Sequence, residues 1–206
     1  MAYRPTEKTQ AHKIAVRENI LTAACTCVID GGFNALTIAT VAQHAGIATG
    51  AVYKYFASKA QLCSEVFHLV GGKELAMMAG AAQEDGTATN RARAAIRVFS
   101  ERALHNKRLA YALMAEPIDP LVEVDRLHFR RAYSKVYEQL IEEGMRSGEF
   151  TPQNAQISAA AVVGSVCEAL VGPLSWQDDG HVPMPQEDLI AAIQTFILRS
   201  VGAKVN

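Results

Sequence analysis

Apolar residues recur along this chain at intervals of three and four, the spacing that gathers side chains on one face of an α-helix. No stretch has the strict alternation of a half-buried strand, and no segment repeats, so the pattern predicts an all-α protein. From about Lys13 to Asp30, Ile20, Leu21, Ala24 and Val28 form one stripe, stopped by Gly31-Gly32. Ile38, Val41, Ala42 and Ala45 make a second, short helix ending at Gly46, and Ile47, Val52 and Phe56 form a third apolar set. Ser58 and Gln61 open a fourth helix in a capping-box arrangement, which continues through Val66, Leu69 and Leu75 toward Met78 although Gly71-Gly72 weaken its middle. Beyond it the spacing predicts helices from about Asn90 to Asn106, Lys107 to Glu116, Leu121 to Ser147, Ile157 to Leu174 and Gln186 to Val201. Pro117 and Pro120 form a corner, and Thr151-Pro152 reads as a cap followed by a proline at a helix start. Residues 1 to about 10 read as a loose polar arm that carries Arg4 and Lys8, either as cations that reach a polyanion or as a terminus with no role, and Asp178 to Pro185 as an exposed loop.

Two of these helices are too short to stand alone, so each must pack on the other and on a neighbour, which is the architecture of a helix-turn-helix. In that geometry the second helix enters the major groove with its first residues nearest the base edges. Here those residues are Ala48, Thr49, Gly50 and Ala51, small enough for close approach, with one hydroxyl to donate or accept. Tyr53, Lys54 and Tyr55 follow one turn later and suit phosphate oxygens, and Lys59 stands beside the exposed N–H groups of the next helix start.

The run Arg17, Ile20-Leu21, Ala23-Ala24, Gly32-Phe33, Thr37, Val41-Ala42, Ala45-Gly46-Ile47, Thr49-Gly50, Val52-Tyr53, Tyr55-Phe56, Lys59 and Leu62 closely resembles the TetR family of bacterial transcriptional regulators. The resemblance covers the first third of the chain directly and the remainder in length and helical layout. It implies an N-terminal three-helix head over residues 1–62, a C-terminal effector-binding and dimerisation domain over 63–206, and a homodimer. Carried over by position, Thr37, Thr49, Gly50, Tyr53, Tyr55 and Lys59 are the implied DNA contacts, joined by Lys54 from the spacing argument. Ala39 and Ala51 stand where some relatives place larger base-reading side chains, which shifts the expectation toward readout of DNA shape.

Charge agrees with one DNA-facing end. Residues 1–60 carry six Lys or Arg against three acids, a net of +3, whereas the whole chain of 206 residues carries −1. The four cysteines, Cys25, Cys27, Cys63 and Cys167, have no CxxC spacing and no spaced histidine partners, so neither a metal site nor a structural disulfide is expected; they read as buried or part-buried thiols in a reducing cytoplasm. No charged leader opens the sequence and no run approaches a membrane-spanning length, so the expected location is the cytosol and no membrane partner is expected. No cofactor is expected either.

A ligand pocket, if present, belongs between the helices of the C-terminal part, mostly apolar with a few polar groups. Phe99, Met114, Arg126, Arg130, Tyr133, Glu168 and Trp176 are the candidates. Arg126, Arg130 and Tyr133 share one flank, where they could hold an anion or form a solvated basic face. Glu168 interrupts an apolar helix and could meet a ligand, pair with an arginine or lie at the edge of a dimer seam. That helix and the last one are expected to meet their symmetry mates in a four-helix interface. The leading expectation is a repressor that leaves a pseudo-palindromic operator when a small, largely apolar effector binds. A small helical enzyme and an effector-independent DNA-binding protein are the alternatives; no GxSxG, HExxH, P-loop or dinucleotide motif supports the enzyme.

Overall fold

Gly32 decides how the first helix ends. The computed structural model describes residues 7–175 and 184–204, and in it α1 (Glu7–Ala35) runs to Gly32, breaks there at φ 74 and ψ −176, and closes with one further turn. Residues 7–10 are helical and so are not part of a loose arm, while Arg4 lies outside the described residues. The chain continues as α2 (Ile38–Ala45), α3 (Thr49–Val52), α4 (Lys59–Ala81), α5 (Ala88–His105), α6 (Lys107–Met114), α7 (Pro120–Ser147), α8 (Ala155–Leu174) and α9 (Gln186–Ser200), with no strand among the described residues.

The short helices are held as their length requires. Ile38, Val41, Ala42 and Ala45 of α2, with Val52 and Phe56, bury against Ile20, Ala24 and Val28 of α1 and Leu62 and Val66 of α4. Asn19 donates from Nδ2 to the Ala45 carbonyl at 2.8 Å, fixing the end of α2, and Gly46 takes the left-handed conformation that ends it. Arg17 lies 4.9 Å from the centre of the Phe56 ring and pairs with Glu65, tying α1 to α4 across the head.

α4 is unbroken through Gly71-Gly72. Tertiary packing outweighs the glycine pair: the Phe129 ring of α7 lies so close that a Cβ on Gly71 would stand 3.5 Å from it. The same helix sends Leu62, Val66, Phe67 and Val70 into the first buried cluster and Met78 into a second, built mainly from α5, α7, α8 and α9. The clusters are not sealed from each other, since Leu109, Ala112, Val122 and Phe129 also belong to the first.

Two boundaries differ from the sequence reading. Thr151-Pro152 starts no helix: the Thr151 N–H donates to the Val201 carbonyl at 3.3 Å and Gln153 Nε2 donates to the same oxygen at 2.8 Å, so this segment ties down the end of α9. Asn154 caps α8 instead, accepting from the Ile157 N–H at 2.9 Å. α5 begins two residues early because Glu149 accepts from the Ala88 and Thr89 N–H groups at 3.1 and 2.9 Å, alongside the Thr87 cap.

α8 buries Ala159, Val162, Val163, Val166, Leu170 and Leu174, and turns Ile157, Ala160, Ala161, Gly164, Glu168 and Gly172 outward. Contrary to the sequence reading, this helix is apolar and long enough to cross a membrane by length and composition. Its inner face is core, and its outer face is a strip of small residues. Beside it, α9 buries Ile190, Ile193, Ile197 and Leu198 but leaves Phe196, which shares their broad apolar face by spacing, at 61% exposure.

Candidate nucleic-acid interface and the cavity behind it

The exposed end of the head gathers the sequence candidates. Thr37 precedes α2, where its hydroxyl accepts from the Thr40 N–H at 3.1 Å while the Thr40 hydroxyl accepts from the Thr37 N–H at 3.0 Å, so this side chain is already committed to capping. Ala48, Thr49 and Gly50 are exposed at the start of α3, and nothing lies within 4 Å of where a Gly50 Cβ would stand. α3 is a single turn. Tyr53 and Lys54 lie just past it in a tight turn closed by the Lys54 N–H to the Ala51 carbonyl at 3.1 Å, so they are not one helical turn further along a longer recognition helix. Tyr53 is 55% exposed and Lys54 is exposed, whereas Tyr55 is half-buried and packs on the head core.

At the head of α4, Ser58 accepts from the Gln61 N–H at 3.1 Å. The return bond goes one residue further out than a capping box places it, from the Ala57 N–H to Gln61 Oε1 at 2.7 Å. Lys59 is exposed beside these N–H groups. Thr49, Gly50, Tyr53, Lys54 and Lys59 are thus all exposed, and a hydroxyl, bare backbone, a phenol and two ammonium groups suit phosphates more than base edges.

Behind the head, a cavity of about 370 Å3 lies among α4, α5, α6, α7 and α8. Five of the seven sequence candidates line it: Phe99, Met114, Arg126, Arg130 and Tyr133. Glu168 does not; it is exposed on the outer strip of α8, while its neighbour Cys167 faces the cavity. Trp176 lies outside the described residues. Ile29 and Phe67, from the head side, reach the same wall.

The charges of the wall are mostly spoken for. Arg102 grips Glu74 through two bonds of 2.5 and 2.8 Å, a pair that the sequence reading missed because its members lie on different helices. Arg126 is buried and donates to the carbonyls of Leu113, Ala112 and Glu116 at 2.9, 3.2 and 2.6 Å and to Glu123 at 2.6 Å, closing the end of α6. Burial lowers its pKa, with Glu123 and Glu116 acting the other way. Arg130 is exposed and donates to the Met114 carbonyl at 3.4 Å. Burial raises the pKa values of Tyr133, Tyr137 and Cys167, so all three stay neutral.

Cavity and head are joined by a buried carboxylate. Glu116, 1% exposed just past α6, accepts from the N–H groups of Phe33 and Asn34 at 2.9 and 3.2 Å, the donors freed where α1 breaks. Arg108 bridges Glu116 at 3.3 Å and the Gly31 carbonyl at 2.5 Å. An acid at a helix end before a proline corner was visible in sequence, but its target, 83 residues earlier, was not.

The chain matches the family model described as bacterial regulatory proteins, tetR family, over residues 20–66, and that described as the tetracyclin repressor-like C-terminal domain over residues 85–201. The chain belongs to the TetR family. Within it, the chain is 26% identical to the HTH-type transcriptional repressor KstR2 of Mycolicibacterium smegmatis, over 70% of this chain and 72% of that one. The transcriptional regulator FadR from Bacillus subtilis, solved in complex with stearoyl-CoA, has a TM-score of 0.71 and 19% identity, covering 89% of this chain and 97% of its own. AibR, solved with isovaleryl coenzyme A and operator DNA, has a TM-score of 0.66 and 14% identity, covering 88% and 97%. This TetR-family chain is therefore a DNA-binding transcriptional regulator.

Proposed function

We propose that this TetR-family regulator is a dimeric, cytoplasmic repressor that divides near residue 62 into head and body, and that leaves a pseudo-palindromic operator when an apolar acyl ligand enters the body cavity. One observation carries the reading: the cavity is walled by the same elements that set the head, since Phe67 of α4 and Ile29 of α1 line it directly. A ligand that favours a different packing of α4 against α7 therefore changes the spacing of the heads, and DNA and ligand oppose each other through their differential affinity for the two arrangements. FadR with stearoyl-CoA and AibR with isovaleryl coenzyme A support acyl ligands for this architecture. The small-residue strip of α8 and the exposed Phe196 of α9 supply the dimer seam, with Glu168 at its edge.

On DNA, Thr37, Thr49, Gly50, Tyr53, Lys54, Tyr55 and Lys59 form the proposed contact set. Tyr55 serves more as a brace than as a contact, being half-buried in the head. Lys59→Ala is expected to weaken binding to all duplexes alike and to reduce the salt slope by about one unit. Tyr53→Phe is expected to weaken binding about equally for every sequence, by roughly one hydrogen bond to a charged phosphate, or about ten-fold. Fluorescence anisotropy titrations at two salt concentrations measure both; unchanged affinity and slope would remove these residues from the interface.

The effector half of the reading is tested by melting the protein across a panel of apolar metabolites and acyl thioesters, because a ligand of the native state raises the midpoint. Ligands that raise it are expected to release operator DNA. A stabilising ligand that leaves DNA affinity unchanged would overturn the proposed antagonism.

A further inference from the structure

Two phenols in the cavity wall pack their rings into the fold, Tyr133 against Phe99 and Tyr137 in the core, and leave their hydroxyls over. Tyr133 and Tyr137 stand one turn apart on α7, both line the cavity, and neither hydroxyl has a hydrogen-bond partner among the described residues. Tyr137 is 5% exposed. Tyr133 is half-buried and lines the cavity together with Glu74, Arg102, Tyr137 and Cys167. Neither oxygen is among the fully enclosed unpartnered side-chain atoms of the described residues, which are Ser100 Oγ and Asp125 Oδ2, so each phenol keeps room beside it for an acceptor that the fold does not supply.

The surroundings say what kind of acceptor fits. Arg102 is held by Glu74 and Arg126 by three carbonyls and Glu123, so a carboxylate carried to the phenols would be buried with neutral donors only. A carbonyl oxygen brings two lone pairs and no charge, one for each phenol. The rest of the wall, including Phe99, Phe129, Leu109 and Val166, suits hydrocarbon. Among the wall residues that remain exposed are Arg130 and Lys73, cations that suit an anionic group outside the apolar part.

We propose that Tyr133 and Tyr137 together read the carbonyl oxygen of an acyl thioester whose hydrocarbon chain fills the cavity and whose anionic carrier emerges past Arg130 and Lys73. The proposal rests on the reading of the cavity as the effector site. It makes the thioester carbonyl, and not chain length alone, the feature that separates effector from free fatty acid.

The test is calorimetric titration of the full chain with octanoyl- and palmitoyl-coenzyme A, with the thioether analogues that replace the carbonyl by a methylene, and with the free acids. The native protein is expected to bind a thioester roughly ten- to a hundred-fold more tightly than its thioether, the range for losing one or two buried neutral hydrogen bonds. The double variant Tyr133→Phe, Tyr137→Phe is expected to bind the two alike and to melt no earlier than the native protein when unliganded, since it gives up no internal bond. Equal native affinities for thioester and thioether would overturn the carbonyl subsite and leave the cavity as the effector site. Free acids binding as tightly as thioesters would also overturn it. If no coenzyme A ligand binds, the subsite and the acyl-ligand reading of the cavity fall together.

Discussion

Glu116→Ala is expected to lower the stability of the head by about 3 kcal/mol, or roughly 5–10 °C in melting temperature. The substitution strands two backbone donors, the N–H groups of Phe33 and Asn34, at the point where α1 has no helical acceptor for them. It also removes the partner of Arg108, which stays bonded to the Gly31 carbonyl alone. Glu116→Gln keeps one good acceptor and is expected to recover about half of the deficit. Hydrogen exchange at residues 33–45, read with the melting curve, checks the cause: exchange should accelerate there first. A Glu116→Ala protein that melts with the native one would show that this carboxylate does not hold the corner. The same variant is expected to blunt effector release, because Arg126, in the cavity wall, donates to the Glu116 carbonyl at 2.6 Å and so couples the wall to the corner.

The second large effect concerns the seam. Ala161→Glu with Phe196→Glu places carboxylates on two exposed positions of the outer α8 and α9 faces. In an isolated chain they would be solvated and nearly neutral for stability. Across a two-fold seam each meets its own copy, and like charges buried face to face oppose association. Sedimentation is expected to show monomers for the variant and dimers for the native protein. Operator affinity is expected to fall by at least about a hundred-fold, because the second head loses the high effective concentration that linkage provides. A variant that remains dimeric would move the seam elsewhere.

Much of this was legible in the sequence because it depends on local rules. The period of Ile20, Ala24 and Val28, the glycine ending at Gly46 and the Ser58 cap are all readable within a few residues, and each stands in the structure as expected. What was illegible depends on contacts far apart in the chain. Thr151-Pro152 carries a good local start signal, yet the need to anchor Val201 overrides it. Phe196 falls on an apolar stripe, yet the stripe is wider than the surface that α5 offers to α9. In the cavity, Tyr133 was visible as part of a polar flank, whereas nothing local singled out Tyr137, and Glu168 stood open between ligand, arginine and dimer seam; only packing separates the Cys167 side of α8 from the Glu168 side. The Glu74–Arg102 pair and the Glu116 corner needed the fold itself.

The most direct measurement is selection of duplexes from a random DNA library by the full chain, followed by titration of the enriched sequence. A dimeric operator-reader predicts an inverted repeat whose half-sites lie about one helical turn apart or slightly more, with affinity falling steeply as salt rises. Failure to enrich any sequence, or enrichment of a single half-site bound by one chain, would contradict the account.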